Sequence, residues 1–388
     1  MKILIVITDY GSFNNFLAEI SVALSLENEI HIICSRSNVI NIVDKFDYTQ
    51  YDLTFHFLDI PRTTSITKLI KSSFRIRKLV KEIKPNLVYA HFTTGIFPVI
   101  LLRNKNVEYW GTFHGLGMNA STGLRKIMFS FVEMFSFIRL DKIFLINNKD
   151  FDLVKRFFSN KANKYQSCGV GCNIDKFDGN KFQESDKENI RKDLKLESKF
   201  IITYTGRFVE FKGFDLVFHS FAKLIKEYPN EFALLLVGGK DPIHITGLTL
   251  NEEGDLNNNK SIINIGYTSE VEKYLAISDV FLFPSKKEGL PVCIVESLAM
   301  GVPVITLDER GNSDIVKNNF NGYLIKSVSK SNDANEIVEK LKYLNEENHA
   351  LKILSSNCML DREIYSRSFF VQEQLSLIND FKKQNKLD

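Results

Sequence analysis

From its first residues the chain alternates short apolar runs with longer amphipathic stretches, and this alternation limits the fold more than any other feature. Runs at Lys2 to Thr8, Glu29 to Cys34, Asn86 to His91, Val107 to Thr112 and Lys142 to Ile146 are short and mostly apolar. Such runs suit buried strands, and helix-length stretches between them argue for an α/β protein with parallel sheets. Each run is followed by a loop with Gly, Ser, Thr or Asn. Ligands of parallel sheets bind at the carboxyl ends of strands, so the loops beginning at Asp9, His91, Phe113 and Asn147 are expected to face one cleft.

With 388 residues the chain has room for two domains with full cores. Around Cys168 to Phe177 the periodicity lapses into a Gly-rich link. The expected division is therefore a first domain at 1–170, a second at 171–365, and a helical tail at 366–388 that crosses back to the first. In the second half, Ser185 to Glu188 fits a capping box that opens a helix. Strands are expected at Phe200 to Tyr204, Ala233 to Val237, Ile262 to Gly266 and Asp279 to Pro284. Residues 240–260 read as a surface loop, and Asp308 to Asp314 and Asn321-Gly322 as the last turns.

Composition excludes several classes. The five cysteines are odd in number and scattered, which fits neither a disulfide framework nor a zinc site and points to a reducing compartment. The apolar run after Met1 ends at Thr8-Asp9, too soon for a signal peptide, and no run approaches the roughly 18 to 20 apolar residues of a membrane span. A cytoplasmic protein is expected. Charge is uneven: residues 1–170 hold 22 Lys and Arg against 14 Asp and Glu, whereas the remainder hold 28 against 33.

The stretch Ser285 to Gly301 carries the clearest chemistry. It reads as loop then helix, with Pro291 suited to the first helical position and Gly301 to the stop. Glu288 lies in the loop and Glu296 is the lone charge on an otherwise apolar helix. A buried carboxylate is costly unless something binds it, and the amides after Pro291 offer a phosphate site. A carboxylate able to take two ribose hydroxyls, beside phosphate-seeking amides, suggests a nucleotide-sugar pocket. The plainer alternative is a solvated Glu288 and a Glu296 paired with some Lys or Arg. In Thr205 to Gly213, Arg207 and Lys212 can converge on one anion, the Arg by a fork and the Lys as a point charge. Together with the two glutamates they favour a diphosphate site, and Tyr267 after Gly266 can frame a base.

In the first half, Gly11 follows the first strand, where a Gly allows close approach to phosphate or simply a turn. His91 and His114 end adjacent strands; His114 is the stronger candidate because glycines flank its loop. The stretch Arg62 to Lys84 is helical in pattern and strongly basic, and Leu124 to Leu140 combines Arg125 and Lys126 with many apolar residues. Both fit peripheral contact with an anionic membrane, and both equally fit core helices with a solvated basic edge. No basic-aromatic repeat accompanies the charge, so nucleic acid is not an expected partner.

Taken together, Gly206-Arg207 through Lys212-Gly213, Glu288 to Glu296, Pro85 to His91, Thr112 to Gly115, Gly171 to Phe177, and Gly266-Tyr267 through Ser278-Asp279 resemble the landmarks of the family 4 retaining glycosyltransferases. The resemblance covers most of the chain. It implies the GT-B fold, two Rossmann-like domains with parallel sheets facing a central cleft, the second holding the nucleotide and the first the acceptor. It further implies that Arg207 and Lys212 bind the pyrophosphate, with Gly206, Gly289, Leu290, Pro291 and Val292 among the nucleotide-sugar-binding residues. Glu296 would take the ribose and Glu288 the sugar hydroxyls, with His114 near the sugar and leaving group. Gly11 falls where the family approaches phosphate, but paired glycines are usual there and only one is present. No metal or other cofactor is expected, since no Asp-x-Asp motif ends a strand.

The implied reaction is transfer of a hexose or N-acetylhexosamine from a nucleotide sugar, UDP favoured, to a sugar or lipid-linked sugar acceptor. It would proceed with retention in surface polysaccharide or glycolipid synthesis, at the inner face of the membrane. A UDP-N-acetylhexosamine 2-epimerase of the same fold and a non-catalytic nucleotide-sugar binding protein are the alternatives. The pairing of two cations with two glutamates speaks against both.

Overall fold

The computed structural model describes residues 1–36, 43–61 and 66–387. It divides into two units, Met1–Val170 with Ser368–Asp388, and Gly171–Arg367.

The first unit holds, among the described residues, seven strands: β1 (Lys2–Asp9), β2 (Glu29–Ser35), β3 (Leu53–Phe57), β4 (Leu87–His91), β5 (Glu108–Phe113), β6 (Lys142–Leu145) and β7 (Ala162–Lys164). They pair in parallel in the order β3-β2-β1-β4-β5-β6-β7. Ile3 of β1 aligns with Ile30 on one side and Leu87 on the other. The order reverses between β1 and β4, so the carboxyl ends of these two strands open the crevice where such sheets take ligands. One layer of helices, Ile66–Ile83, Phe92–Leu101 and Gly123–Arg139, packs Ile76, Val80, Ile96, Ile100 and Phe137 onto Leu4, Val6, Val88 and Ala90 of the sheet. The basic stretch expected from Arg62 is helical from Ile66; residues 62–65 lie outside the described residues.

The second unit holds β8 (Phe200–Phe208), β9 (Phe232–Lys240), β10 (Ile262–Gly266), β11 (Val280–Leu282), β12 (Val304–Leu307) and β13 (Gly322–Ile325), parallel in the order β10-β9-β8-β11-β12-β13. Its reversal lies between β8 and β11, so the loops after Phe208 and after Leu282 share the switch point.

Some expectations need correction. Gly11 is not in a loop: Asp9 caps a helix, Tyr10–Phe16, by accepting from Ser12 N–H at 2.9 Å and Ser12 Oγ at 2.7 Å, and Gly11 sits in its first turn. Residues 240–260 are partly helical, because Thr249 and Glu252 form a capping box that opens Leu250–Asn258. The helix expected at Ser185 starts at Glu184, with Asp186 accepting from Gln183 N–H. Gly322 begins a strand rather than a turn; a Cβ there would lie 2.1 Å from the Val304 carbonyl oxygen, so the glycine serves close strand approach. Pro291 is the N-cap, with the helix running Val292–Ala299.

The last helix, Arg367–Asn385, packs on the first unit's sheet. Phe370 meets Tyr165 edge-on at 5.5 Å, Phe381 meets Trp110 at 5.5 Å, and Tyr89 donates to Gln374 Oε1 at 2.8 Å.

Candidate functional site

The second unit's switch point is assembled from backbone that approaches too closely for side chains. Gly238 of β9 has φ +132°, and a Cβ there would stand 2.0 Å from the Gly206 carbonyl oxygen. Gly213, at φ +75°, brings its backbone against the Pro284 carbonyl in the same way. That second contact sets the short helix Glu210–Lys212 beside the loop after β11, and Lys286 N–H donates to the Phe211 carbonyl at 3.1 Å.

Lys212 Nζ therefore reaches Glu288 Oε1, at 2.5 Å, and the same oxygen accepts from Ser285 Oγ at 2.7 Å. Glu288 is only 8% exposed, so this is a nearly buried ion pair. Its loop is pinned from behind by buried Asn312, whose Nδ2 donates to the Ser285 carbonyl at 2.8 Å and the Leu307 carbonyl at 3.2 Å. Ser285 and Asn312 escaped sequence reasoning because neither residue type advertises a support role. Arg207, exposed at the end of β8, donates to Asp241 and lies over the Phe211 ring at 5.6 Å. The Ile243 amide first, and Arg207 after it, hold the Asp241 carboxyl well below the usual range. Each cation thus has its own carboxylate instead of both converging on one point, although both line the same cavity.

That cavity, of about 400 Å³, is also lined by Gly206, Gly238, Tyr267, Thr268, Cys293 and Glu296. Glu296 is half-buried and makes no hydrogen bond or ion pair among the described residues. Burial raises its pKa to about 7, against the longer-range pull of Lys176 and Arg367. No Lys or Arg stands within ion-pair distance of Glu296 among the described residues. Tyr267 is 74% exposed at the rim and lies over Gly239, where a Cβ would come within 2.6 Å of the ring. Gly289, Leu290, Pro291 and Val292 form the loop and first turn next to Glu288 and do not line the cavity. Cys293, one turn before Glu296, does, and nothing in its sequence context marked it.

Gly11 and His114 belong to the first unit. His114 follows β5 and stacks on Phe92, with ring centroids 4.3 Å apart, and its Nε2 is 3.3 Å from His91 Nδ1. Burial lowers the His114 pKa to about 4 and holds that of His91 well below the ordinary imidazole value. Phe92 holds φ +64°, a strained value for a bulky residue and one that often marks a working site. The segment after His114 is fixed by two buried carboxylates. Glu133 accepts from Gly117 and Met118 N–H at 2.7 and 3.1 Å, and Asp150 accepts from Leu116 N–H at 2.8 Å.

Two Rossmann-like units, one with a cation-rimmed cavity that contains a partnerless carboxylate, define an α/β protein suited to an anionic, hydroxyl-bearing ligand. The comparisons name the class more closely. Residues 2–147 match the glycosyl transferase 4-like family model and residues 186–357 the glycosyl transferases group 1 model. An Escherichia coli UDP-Gal:α-D-GlcNAc-diphosphoundecaprenol α-1,3-galactosyltransferase is 28% identical over 85% of this chain and 83% of its own length. A Campylobacter jejuni N,N'-diacetylbacillosaminyl-diphospho-undecaprenol α-1,3-N-acetylgalactosaminyltransferase is 26% identical over 80% of this chain and 81% of its own. Among solved structures, Anabaena HepE in complex with UDP aligns with a TM-score of 0.76 over 98% of this chain and 100% of its own, at 14% identity. The chain belongs to the glycosyltransferases, and its fold is GT-B.

Proposed function

We propose that this enzyme transfers a hexose or N-acetylhexosamine from a nucleoside diphosphate sugar to a sugar or lipid-linked sugar acceptor, with retention and an α-linkage, in surface polysaccharide or glycolipid synthesis. The observation that carries the reading is Glu296, a half-buried carboxylate with no partner that shares a cavity with Arg207 and Lys212. A carboxylate in that state suits two ribose hydroxyls, and the cations suit the adjoining pyrophosphate. UDP is favoured because the E. coli relative is named for a UDP-Gal donor, and a lipid-linked acceptor because both relatives are named for diphosphoundecaprenol-linked sugars. A cytoplasmic enzyme working at the inner membrane face fits such an acceptor; among the described residues no helix is long and apolar enough to cross a membrane.

Transfer requires stabilisation of charge as the nucleoside diphosphate leaves. Arg207, Lys212 and the amides after Pro291 supply it in this reading, so the reaction is proposed to run without a metal ion. Arriving pyrophosphate competes with Glu288 for Lys212, and Glu288 is left to accept from sugar hydroxyls. No side chain is assigned as a covalent nucleophile. The acceptor hydroxyl attacks on the face the diphosphate leaves, and its proton passes to the departing phosphate oxygen. For His114 the proposal is a neutral imidazole that hydrogen-bonds the sugar, since its pKa of about 4 leaves it uncharged at pH 7.

A thermal-shift panel of UDP, GDP, ADP and their sugar conjugates on wild type and Glu296→Ala tests this. Ligand bound to the native state raises the melting temperature. A rise with one base that the variant loses supports the reading; flat curves at millimolar ligand count against it.

A further inference from the structure

Arg207 is the penultimate residue of β8, and its side chain, 45% exposed, lines the cavity that holds Glu296. A guanidinium loose at such a strand end would lose rotamer freedom on taking an anion, and binding would be weaker by that loss. Here the freedom is removed beforehand. Tyr204 Oη donates to the Arg207 carbonyl at 2.7 Å and fixes the backbone, while Arg207 Nη1 donates to Asp241 Oδ2 at 2.5 Å. Arg207 Nε and Nη2 have no hydrogen-bond partner among the described residues, so the rest of the fork stays open.

Asp241 is itself immobilised. It follows β9 at the start of a loop, yet its side chain is only 8% exposed. Its Oδ1 accepts from Ile243 N–H at 2.8 Å, His244 N–H at 3.1 Å and His244 Nδ1 at 3.1 Å, which leaves Oδ2 to Arg207. A carboxylate that takes the amide two residues on makes a local turn of its own backbone. That turn is tied to the short helix carrying Lys212: Glu210 N–H donates to the Ile245 carbonyl at 3.0 Å, and the His244 ring meets Phe211 edge-on at 5.3 Å. An exposed ion pair between two free side chains contributes little, but here one partner is already fixed by three donors. Asp241 does not line the cavity, so it holds Arg207 from outside. We propose that Asp241 is a positioning residue for diphosphate recognition: it fixes Arg207 at the cavity edge with Nε and Nη2 open to phosphate oxygens, and thereby selects nucleoside diphosphates over monophosphates. The inference rests on the donor reading above and assigns a role to a residue outside the cavity.

The test has a ligand-free arm and a binding arm, both on the full chain. Asp241→Asn is the informative variant, because asparagine still accepts from the Ile243 and His244 amides and keeps the turn, but it presents no charge to Arg207. In the first arm, ¹⁵N relaxation of the Arg207 Nε–H, assigned by its loss in Arg207→Lys, is measured without ligand. The order parameter is expected near about 0.85 in wild type and below about 0.6 in Asp241→Asn. An Arg207 as mobile in wild type as in the variant overturns the proposal. In the second arm, calorimetry with UDP and with UMP is expected to show Asp241→Asn weakening UDP about tenfold, the size of one side chain's ordering, while UMP binds as it does to wild type. In an Arg207→Ala background the same substitution is expected to cost nothing further, since it acts through Arg207 alone. A loss shared equally by UDP and UMP, or one that persists without Arg207, overturns the proposal by making Asp241 a structural residue. Tighter UDP binding by Asp241→Asn also overturns it, by making Asp241 a competitor for Arg207. A wild type that binds neither nucleotide but shows the ordered Arg207, loosened in Asp241→Asn, ends the donor reading and leaves the positioning of Arg207 standing.

Discussion

Lys212 Nζ and Glu288 Oε1 lie 2.5 Å apart and form one nearly buried ion pair at the site proposed for the donor. Removing one partner leaves the other charge buried, which is the costly half of breaking such a pair. Lys212→Ala is expected to lose about 2 kcal/mol of stability as well as activity, the loss moderated by Ser285 and partial exposure. Glu288→Gln still accepts from Lys212 and Ser285, so its stability is expected within about 1 kcal/mol of wild type while transfer falls about 100-fold or more. Chemical denaturation and a transfer assay separate the two variants. A Glu288→Gln enzyme with full activity would remove Glu288 from the reaction.

Glu296 gives the protein a pH dependence of opposite sign to that of a salt-bridged carboxylate. Burial raises its folded pKa to about 7, above the value of an unfolded Glu, so the folded state holds the proton more tightly. Its contribution to stability is complete below about pH 4.3 and is lost as pH rises through about 7. Glu296→Gln is expected to be more stable than wild type at pH 8, by about 2 kcal/mol, and equal to it at pH 4. Urea denaturation at the two pH values checks this. A nucleotide whose ribose binds the ionised carboxylate should bind more weakly as pH falls below 7, and the variant should lose that dependence.

How much of this was legible in sequence depends on which force fixes each element. β1, β2, β4, β5, β6, β8, β9 and β11 are interior strands whose apolar runs announce them, and the edge strand β10 was read from its run Ile262 to Gly266. β3 and β7 went unread because edge strands bury only part of their side chains, and β7 is the polar run Ala162–Lys164. β12 and β13 also went unread, β13 because it begins at Gly322, which reads as a turn. Arg207, Lys212, Tyr267 and Glu296 stood out in sequence because a charge or glycine in the loop or helix after a strand is a local signal, and they line one cavity or its rim. Asp241 and Asn312 were not, since their roles depend on neighbours 34 and 27 residues away. Gly11 was misplaced because the Asp9 cap that makes its segment helical looks, in sequence, like an ordinary turn.

Phe92 combines strain and contact in one residue. Its φ of +64° disfavours any side chain with a Cβ, yet its ring covers His114. The usual helix ranking, in which Ala exceeds Gly, should therefore invert here: Phe92→Gly is expected to be about 1 kcal/mol more stable than Phe92→Ala. In both variants His114 gains water, and its pKa is expected to rise from about 4 toward the ordinary 6.5. NMR titration of the ring reports this directly. An unmoved His114 pKa would mean that other neighbours exclude the water.

Trp110 is the only tryptophan of the chain, 1% exposed, and the ring of Phe381 from the last helix meets it at 5.5 Å. Its fluorescence therefore reports whether the segment Arg367–Asn385 is docked on the first unit's sheet. Phe381 is itself 5% exposed, so Phe381→Ala removes a core ring and leaves a cavity beside the indole. The expected loss is about 3 kcal/mol, with Trp110 emission shifted to the red before denaturant is added. The buried cluster of Tyr89, Thr112 and Tyr165 hydroxyls, with Gln374 as an acceptor, should hold the preceding turns of the helix in place. The variant is accordingly expected to loosen the end of the helix near Trp110 first, with amide exchange rising there while Phe370 stays packed on Tyr165. Uniform exchange along the helix would instead mean that it docks and releases as one unit, with Phe381 as its principal anchor.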